Sequence, residues 1–285
     1  MNVITPTVNV AVAADAIIGE SPVWSAHRGE LLWIDILGQR LHRYDPTSGR
    51  STSSATSAPI GLLAESPTGQ ITLSQGGMLA RCIADGKIEA IATAPLAAPA
   101  FRFNDGKYDQ QGRLWTGLMN TQGKKGVGLL CRFDPDGTWR IADSGFDLPN
   151  GLAWSADGET FYFTDSHKGE IHAYDFEVLS GNISHRRTLF RMDPAVGKPD
   201  GLTLDTDGHL LSPLFDGAAI ARIAPDGTLE RLIRLPVPRP THCAFLGDGK
   251  TLVVTTARLG LTPTQLAAAP ESGSLLALDY ETVLS

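Results

Sequence analysis

Six short stretches of the chain have related openings: Glu20-Ser-Pro-Val-Trp24, Gly61-Leu-Leu-Ala64, Asn104-Asp-Gly-Lys-Tyr108, Asn150-Gly-Leu-Ala-Trp154, Asp200-Gly-Leu-Thr-Leu204 and Thr241-His-Cys-Ala-Phe245. Five of the six lead residues carry a side-chain oxygen. Two are carboxylates, which repel one another at close quarters unless a positive charge lies between them. A divalent cation meets that requirement. Hard oxygen donors, with no cysteine and no paired histidine, favour Ca²⁺, Mg²⁺ or Mn²⁺ over a structural zinc. About three or four protein oxygens fall short of the roughly 6 to 8 positions that calcium fills, so water or substrate would complete the shell. An open shell is what a catalytic metal requires.

That chemistry needs elements that carry the lead residues to one place. A glycine lies eight residues after the lead in five stretches (Gly69, Gly112, Gly158, Gly208, Gly249) and nine after it in the first (Gly29), so each unit reads as strand, turn, strand. The leads are 41, 43, 46, 50 and 41 residues apart, a spacing in the range of propeller blades. In the fourth unit, Leu152–Trp154, Thr160–Thr164, Glu170–Asp175 and Arg187–Arg191 read as its four strands. An apolar run over residues 7–18 precedes the first lead, and Gly273–Asp279 follows the last unit. Pairing the two would close a ring and remove its open edges. The expectation is one all-β domain over residues 1–285, a six-bladed β-propeller closed by the N-terminal strand. Its innermost strands would set the six leads around one mouth.

Composition agrees. Apolar residues make up 42% and charged residues 19%, enough for a sizeable core, and the net charge of −7 lacks the basic footprint of a nucleic-acid binder. No apolar run is long enough to span a membrane, and the start carries no signal-peptide pattern, so neither nucleic acid nor membrane is an expected partner. Cys82, Cys131 and Cys243 sit in apolar runs and read as free buried thiols of a reducing compartment, the cytoplasm. Only Thr262–Ala269 suggests a helix, capped by Thr262 with Pro263 in first position.

Plain structural roles account for many polar residues. Asp136, Asp157, Asp207, Asp226 and Asp248 read as turn formers, and Asn150 and Asp200 also precede glycines. The true turn glycine eight residues later leaves no strand between two such turns, however. Glu20, between Ile17-Ile-Gly and Pro22-Val-Trp24, is explained by neither packing nor a turn. There is no Gly-x-Ser-x-Gly elbow. His167 and His242 fall nearest the expected mouth, where a lone histidine is usually solvated or packed.

Gly19-Glu-Ser-Pro-Val-Trp24, Arg102-Phe-Asn-Asp-Gly-Lys107, Gly112-Arg-Leu-Trp-Thr-Gly117, Leu148-Pro-Asn-Gly-Leu-Ala-Trp154 and Pro199-Asp-Gly201 resemble, in this order, the motifs of the SMP-30/gluconolactonase (regucalcin-like) family. The resemblance runs from about Gly19 to Asp279. It implies a six-bladed propeller holding one divalent metal, commonly with sugar-lactone hydrolase activity. By motif, Glu20, Asn150 and Asp200 match metal ligands, and Arg102 and Asn104 match substrate-binding positions. The chain departs from the family at Gly208-His-Leu-Leu-Ser-Pro-Leu214, and at Met119-Asn-Thr-Gln-Gly-Lys-Lys125, where some members place an acid.

The expected function is metal-assisted opening of a sugar lactone to the aldonic acid, with Asp200 as both ligand and base. Arg102 and Asn104 would orient sugar hydroxyls, and Asn120 and Gln122 would join them from a loop, Asn120–Lys125, acting as a partial lid. Ca²⁺ is the leading candidate for the ion, with Zn²⁺, Mn²⁺, Mg²⁺ and Fe²⁺ behind it. Loops on the metal's face would be Ile36–Gln39, Gly117–Val127, Asp165–Gly169, Pro213–Gly217 and Ala257–Gly273. The competing readings are a phosphotriester or other ester hydrolase on the same scaffold, and a non-catalytic metal- or protein-binding propeller.

Overall fold

The computed structural model describes residues 2–83, 88–94 and 100–284. The strands form six sheets, antiparallel within each blade apart from one added parallel strand, and these are the blades of a six-bladed β-propeller. They fall into two compact units, residues 1–59 with 192–285 and residues 60–191.

In residues 60–191 the second blade runs Ile60–Glu65, Ile71–Gln75, Met78–Cys82 and Ile88–Thr93; the third Phe101–Tyr108, Leu114–Asn120, Gly128–Phe133 and Trp139–Phe146; the fourth Pro149–Trp154, Thr160–Asp165, Glu170–Glu177 and Asn182–Arg191. The second strand of the fourth blade is buried continuously from Phe161 to Asp165, with no alternation, because neighbouring elements cover both of its faces. Leu62, Phe103 and Leu118 pack the second blade on the third, and Trp115, Phe146, Phe161 and Phe176 the third on the fourth.

In the other unit the first blade comprises Gly19–Ser25, Glu30–Asp35, Arg40–Asp45 and Arg50–Ala55, whose last strand, rich in Ser, is exposed throughout. The sixth comprises Pro240–Phe245, Thr251–Thr256 and Leu275–Asp279, and Val8–Val12 adds its outer strand, which is the expected N-terminal closure. Asn2–Ile4 continues further than the sequence suggested and pairs in parallel with Leu229–Arg234 of the fifth blade. The capping box of Thr262 and Gln265 starts helix Pro263–Ala268 as expected, while the one-turn helix Glu281–Leu284 was not foreseen.

The repeat grammar has a backbone cause. The six spaced glycines, Gly29, Gly69, Gly112, Gly158, Gly208 and Gly249, all adopt positive φ, from 64° to 81°, where a Cβ would be strained. Asp136, Asp157, Asp226 and Asp248 accept backbone N–H bonds within their turns as expected. At Asp207 the turn is instead held by Asp205, whose Oδ1 accepts from Asp207 N and His209 N. Cys131 and Cys243 are buried free thiols, but Cys82 is only half-buried. Three expected loops begin later than their sequence suggested, since Gly117–Asn120, Asp165 and Pro213–Phe215 belong to strands.

Candidate metal centre

Five lead residues lie on the innermost strand of their blade and Asp200 lies in a gap of its own, and in each blade the ladder breaks there. Pairing is interrupted between Glu20 and Val23, Ile60 and Leu63, Asn104 and Gly106, Pro149 and Leu152, and Pro240 and His242. In the fifth blade the strand itself divides into Lys198–Pro199 and Thr203–Leu204 around Asp200. Such irregularities re-aim side chains that a regular pleat would send into the sheet-to-sheet core. Ser21 and Asp105, each just after a lead, hold the left-handed conformation at φ 47° and 32°. Non-glycine residues rarely persist there unless their surroundings enforce it.

Apart from Gly61, the leads are buried polar residues. Glu20, Asn104 and Asp200 are 7% exposed, Asn150 5% and Thr241 0%. Within residues 60–191 the structure brings Gly61, Arg102, Asn104 and Asn150 together. The half-buried Arg102 donates from Nη1 to Asn104 Oδ1 at 2.8 Å, and Asn104 Nδ2 donates to the carbonyl of Pro149 at 2.9 Å. Asn150 Nδ2, the end of that amide that cannot hold a cation, donates to Ser166 Oγ at 3.0 Å. In the other unit, Gly201 N donates to Thr241 O at 2.8 Å and Thr241 Oγ1 to Gly19 O at 2.5 Å, linking the strands of Asp200, Thr241 and Glu20. Glu20 Oε2 accepts from Ser21 N at 2.8 Å.

Taken singly, the residues have the right chemistry for a hard divalent cation: Glu20 and Asp200 in one unit carry buried carboxylates, and Asn150 in the other carries a buried amide whose nitrogen is engaged by Ser166. His242 is 1% exposed, packs so closely on Gly201 that a Cβ there would lie 2.2 Å from its ring, and takes the N–H of Cys243 on Nδ1. His167 is exposed. Burial pushes the Cys131 thiol up to about 12, which removes it as a nucleophile.

Asn120 and Gln122 are placed differently from each other. Asn120 is 6% exposed, and its Oδ1 accepts from Gln122 N and Lys124 N, so it shapes the exposed loop that follows; Gln122 lies on that loop. Pro213 is also explained. Its carbonyl accepts from Asp200 N at 3.0 Å, so its missing N–H faces the gap in the divided inner strand and costs no ladder bond.

Among the described residues one group of carboxylate and histidine side chains has ligand spacing, Asp205, Asp207 and His209. Arg222 already fills it, reaching Asp205 Oδ2 at 2.7 Å, Asp207 Oδ2 at 3.1 Å and His209 Nδ1 at 3.1 Å. Burial opposes the charge on Asp205, yet the Tyr280 hydroxyl at 2.8 Å and Arg222 hold its carboxyl below the usual range. This is an ion-pair network centred on a guanidinium.

Sequence reasoning missed two buried carboxylates, Asp35 and Asp165, each ending a second strand. Their signal was the recurrence of an apolar run closed by Asp, Leu31-Leu-Trp-Ile-Asp35 and Phe161-Tyr-Phe-Thr-Asp165.

Known proteins share both the sequence and the backbone. Regucalcin of Xenopus laevis is 34% identical over 266 residues, 90% of this chain and 89% of its own. YvrE of Bacillus subtilis, named as a candidate sugar lactone lactonase, is 33% identical, covering 94% of this chain and 92% of its own. The crystal structure of a regucalcin from Agrobacterium tumefaciens, described as a calcium-binding protein, superimposes with a TM-score of 0.92 at 25% identity, covering 98% of this chain and 95% of that one. Residues 18–258 match the profile of the SMP-30/gluconolactonase/LRE-like region, and the chain belongs to that family.

Proposed function

We propose that the protein is a divalent-metal-dependent lactonase that opens a sugar lactone to its aldonic acid, with Glu20, Asn150 and Asp200 as the protein ligands of one cation. The observation that carries the proposal is the equivalence of these residues: three buried oxygen donors, each at the ladder break of an innermost strand. The name of one relative, a candidate sugar lactone lactonase, supports the substrate class. The description of the Agrobacterium protein as calcium-binding favours Ca²⁺ as the ion.

When bound, the cation would polarise the lactone carbonyl and offset the charge that develops on its oxygen. Asp200 takes the proton of the attacking water as general base, the role open to a carboxylate beside the reacting centre. Arg102 offers a planar fork of donors to ring hydroxyls, and its bond to Asn104 Oδ1 fixes which way that amide presents itself. The Pro149 carbonyl anchors the other end of the amide, so Asn104 is oriented before substrate arrives. Gln122, on the exposed loop shaped by Asn120, contacts the far side of the sugar.

The test is a lactone panel assayed on chelated protein and after return of Ca²⁺, Mg²⁺, Mn²⁺, Zn²⁺ or Fe²⁺, with a phosphotriester as control. Turnover should vanish with the chelator and return with metal on lactones only. Full turnover after verified metal removal would sink the proposal, and turnover of the phosphotriester alone would replace it.

A further inference from the structure

The two carboxylates missed by sequence reasoning share a pair of backbone bonds in two blades; beyond these, Asp35 also accepts from Gly38 N at 2.9 Å and Asp165 pairs with Lys168 Nζ at 3.2 Å. Asp35 stands opposite Gly19 in the ladder and Asp165 opposite Pro149, so each faces the residue before a lead. Asp35 accepts from Ile17 N and Ile18 N at 2.9 and 3.0 Å, and Asp165 from Asp147 N and Leu148 N at 2.9 and 3.0 Å. The residue after each carboxylate completes the loop: Ile36 N donates to Ile18 O at 2.9 Å, and Ser166 N to Leu148 O at 3.0 Å. In the fourth blade Ser166 adds its hydroxyl, the partner of Asn150 Nδ2.

The propeller does not need a carboxylate at this place. The residues facing the equivalent position in the other blades are Gln75, Leu118, Leu214 and Thr256. The carboxylates occur only where the lead is Glu20 or Asn150. A buried charge is costly, and here it is compensated by backbone donors that it holds in place and, at Asp165, by the ammonium of Lys168 as well. The chain entering the inner strand is thereby fixed two and three residues before the lead.

We propose that Asp35, Asp165 and Ser166 are positioning residues of the metal centre. The two carboxylates set the backbone from which Glu20 and Asn150 project, and Ser166 turns the Asn150 amide so that its oxygen faces the ion. The proposal rests on the reading of Glu20 and Asn150 as ligands, and its test separates the two. Ca²⁺ and Mn²⁺ affinity is measured by calorimetry on the full chain for Asn150→Ala, Asp165→Asn, Ser166→Ala and Ser166→Thr, beside the melting temperature of each metal-free protein. Loss of such supporting partners lowers metal affinity by about 10 to 100-fold. Asp165→Asn, which puts an amide NH₂ against one backbone N–H, should lie within that range. Ser166→Ala should reach its lower end with an unchanged melting temperature, and Ser166→Thr, which keeps the hydroxyl, should restore binding. Wild-type affinity in Asn150→Ala overturns the ligand reading. Lost affinity in Asn150→Ala with wild-type affinity in Ser166→Ala and Asp165→Asn overturns the positioning role, even if Asp165→Asn melts earlier. Should Asp165→Asn fail to fold, the Ser166 pair decides.

Discussion

Arg102 lies over Gly61, and the glycine is what makes room for it. A Cβ built at Gly61 would stand 2.8 Å from Arg102 Nη1 and 2.1 Å from the carbonyl oxygen of Phe103. The one lead residue without a side-chain oxygen is therefore the floor beneath a proposed substrate-binding guanidinium. Gly61→Ala should displace Arg102 and the strand beneath it. Overpacking of this kind costs about 1 to 3 kcal/mol. Calorimetric melting should show that loss, and lactone KM should rise; a variant with wild-type KM would mean that Arg102 is not held by this contact.

Arg102→Lys tests the guanidinium itself. Lysine keeps the charge but not the fork that can serve both Asn104 and a substrate hydroxyl. If Arg102 binds ground and transition states alike, KM rises while kcat holds. A fall in kcat at constant KM would assign Arg102 to the transition state instead.

Two histidines set an acid limit on stability. His42 stacks on Trp33 at 3.9 Å, and burial, opposed by the charge of Asp35, pushes its pKa down to about 4. His172, packed near Phe146, is pushed down to about 4 by burial and by Arg186. Both are neutral in the fold and titrate near 6.5 when unfolded, so between these values the unfolded chain binds more protons. Stability is fully present above about 6.5 and falls as pH drops toward about 4. His42→Phe keeps the stacking and removes one proton, so its melting temperature should decline less steeply across that window. An identical pH slope in wild type and variant would refute the assignment for His42.

The blades were legible because their punctuation is local. A left-handed turn selects glycine, so Gly112, Gly158, Gly208 and Gly249 mark the first hairpins at a fixed distance from the leads. The leads stood out as polar residues in apolar settings, which neither packing nor turn chemistry explains. Asp35 and Asp165 left only the recurrence of an apolar run closed by Asp, which does not reveal their role, because an acid at a strand end is ordinary in sequence and their shared partners are backbone groups 17 and 18 residues earlier with no signature of their own. Asn2–Ile4 escaped for a similar reason: parallel pairing of a three-residue strand leaves no pattern to read. Pro213, in the stretch where the chain departs from the family, has no N–H for a ladder, and the break in the facing strand is what makes that lack harmless.

Asp200 carries two proposed roles, and one substitution separates them. Its backbone is fixed independently of its carboxylate, since its N–H donates to Pro213 O at 3.0 Å and the following Gly201 is packed beneath His242. Asp200→Asn should therefore fold as the wild type does and keep one oxygen for the ion while losing charge and basicity. Turnover should fall by about 10² or more, the scale of a lost general base. Metal affinity should fall less steeply, because Glu20 and Asn150 remain. The comparison must be made at saturating metal with occupancy measured, since an empty site would imitate a missing base. If Asp200→Asn turns over normally with metal bound, the proton goes elsewhere, and Glu20, the other carboxylate of the proposed set, becomes the base to test.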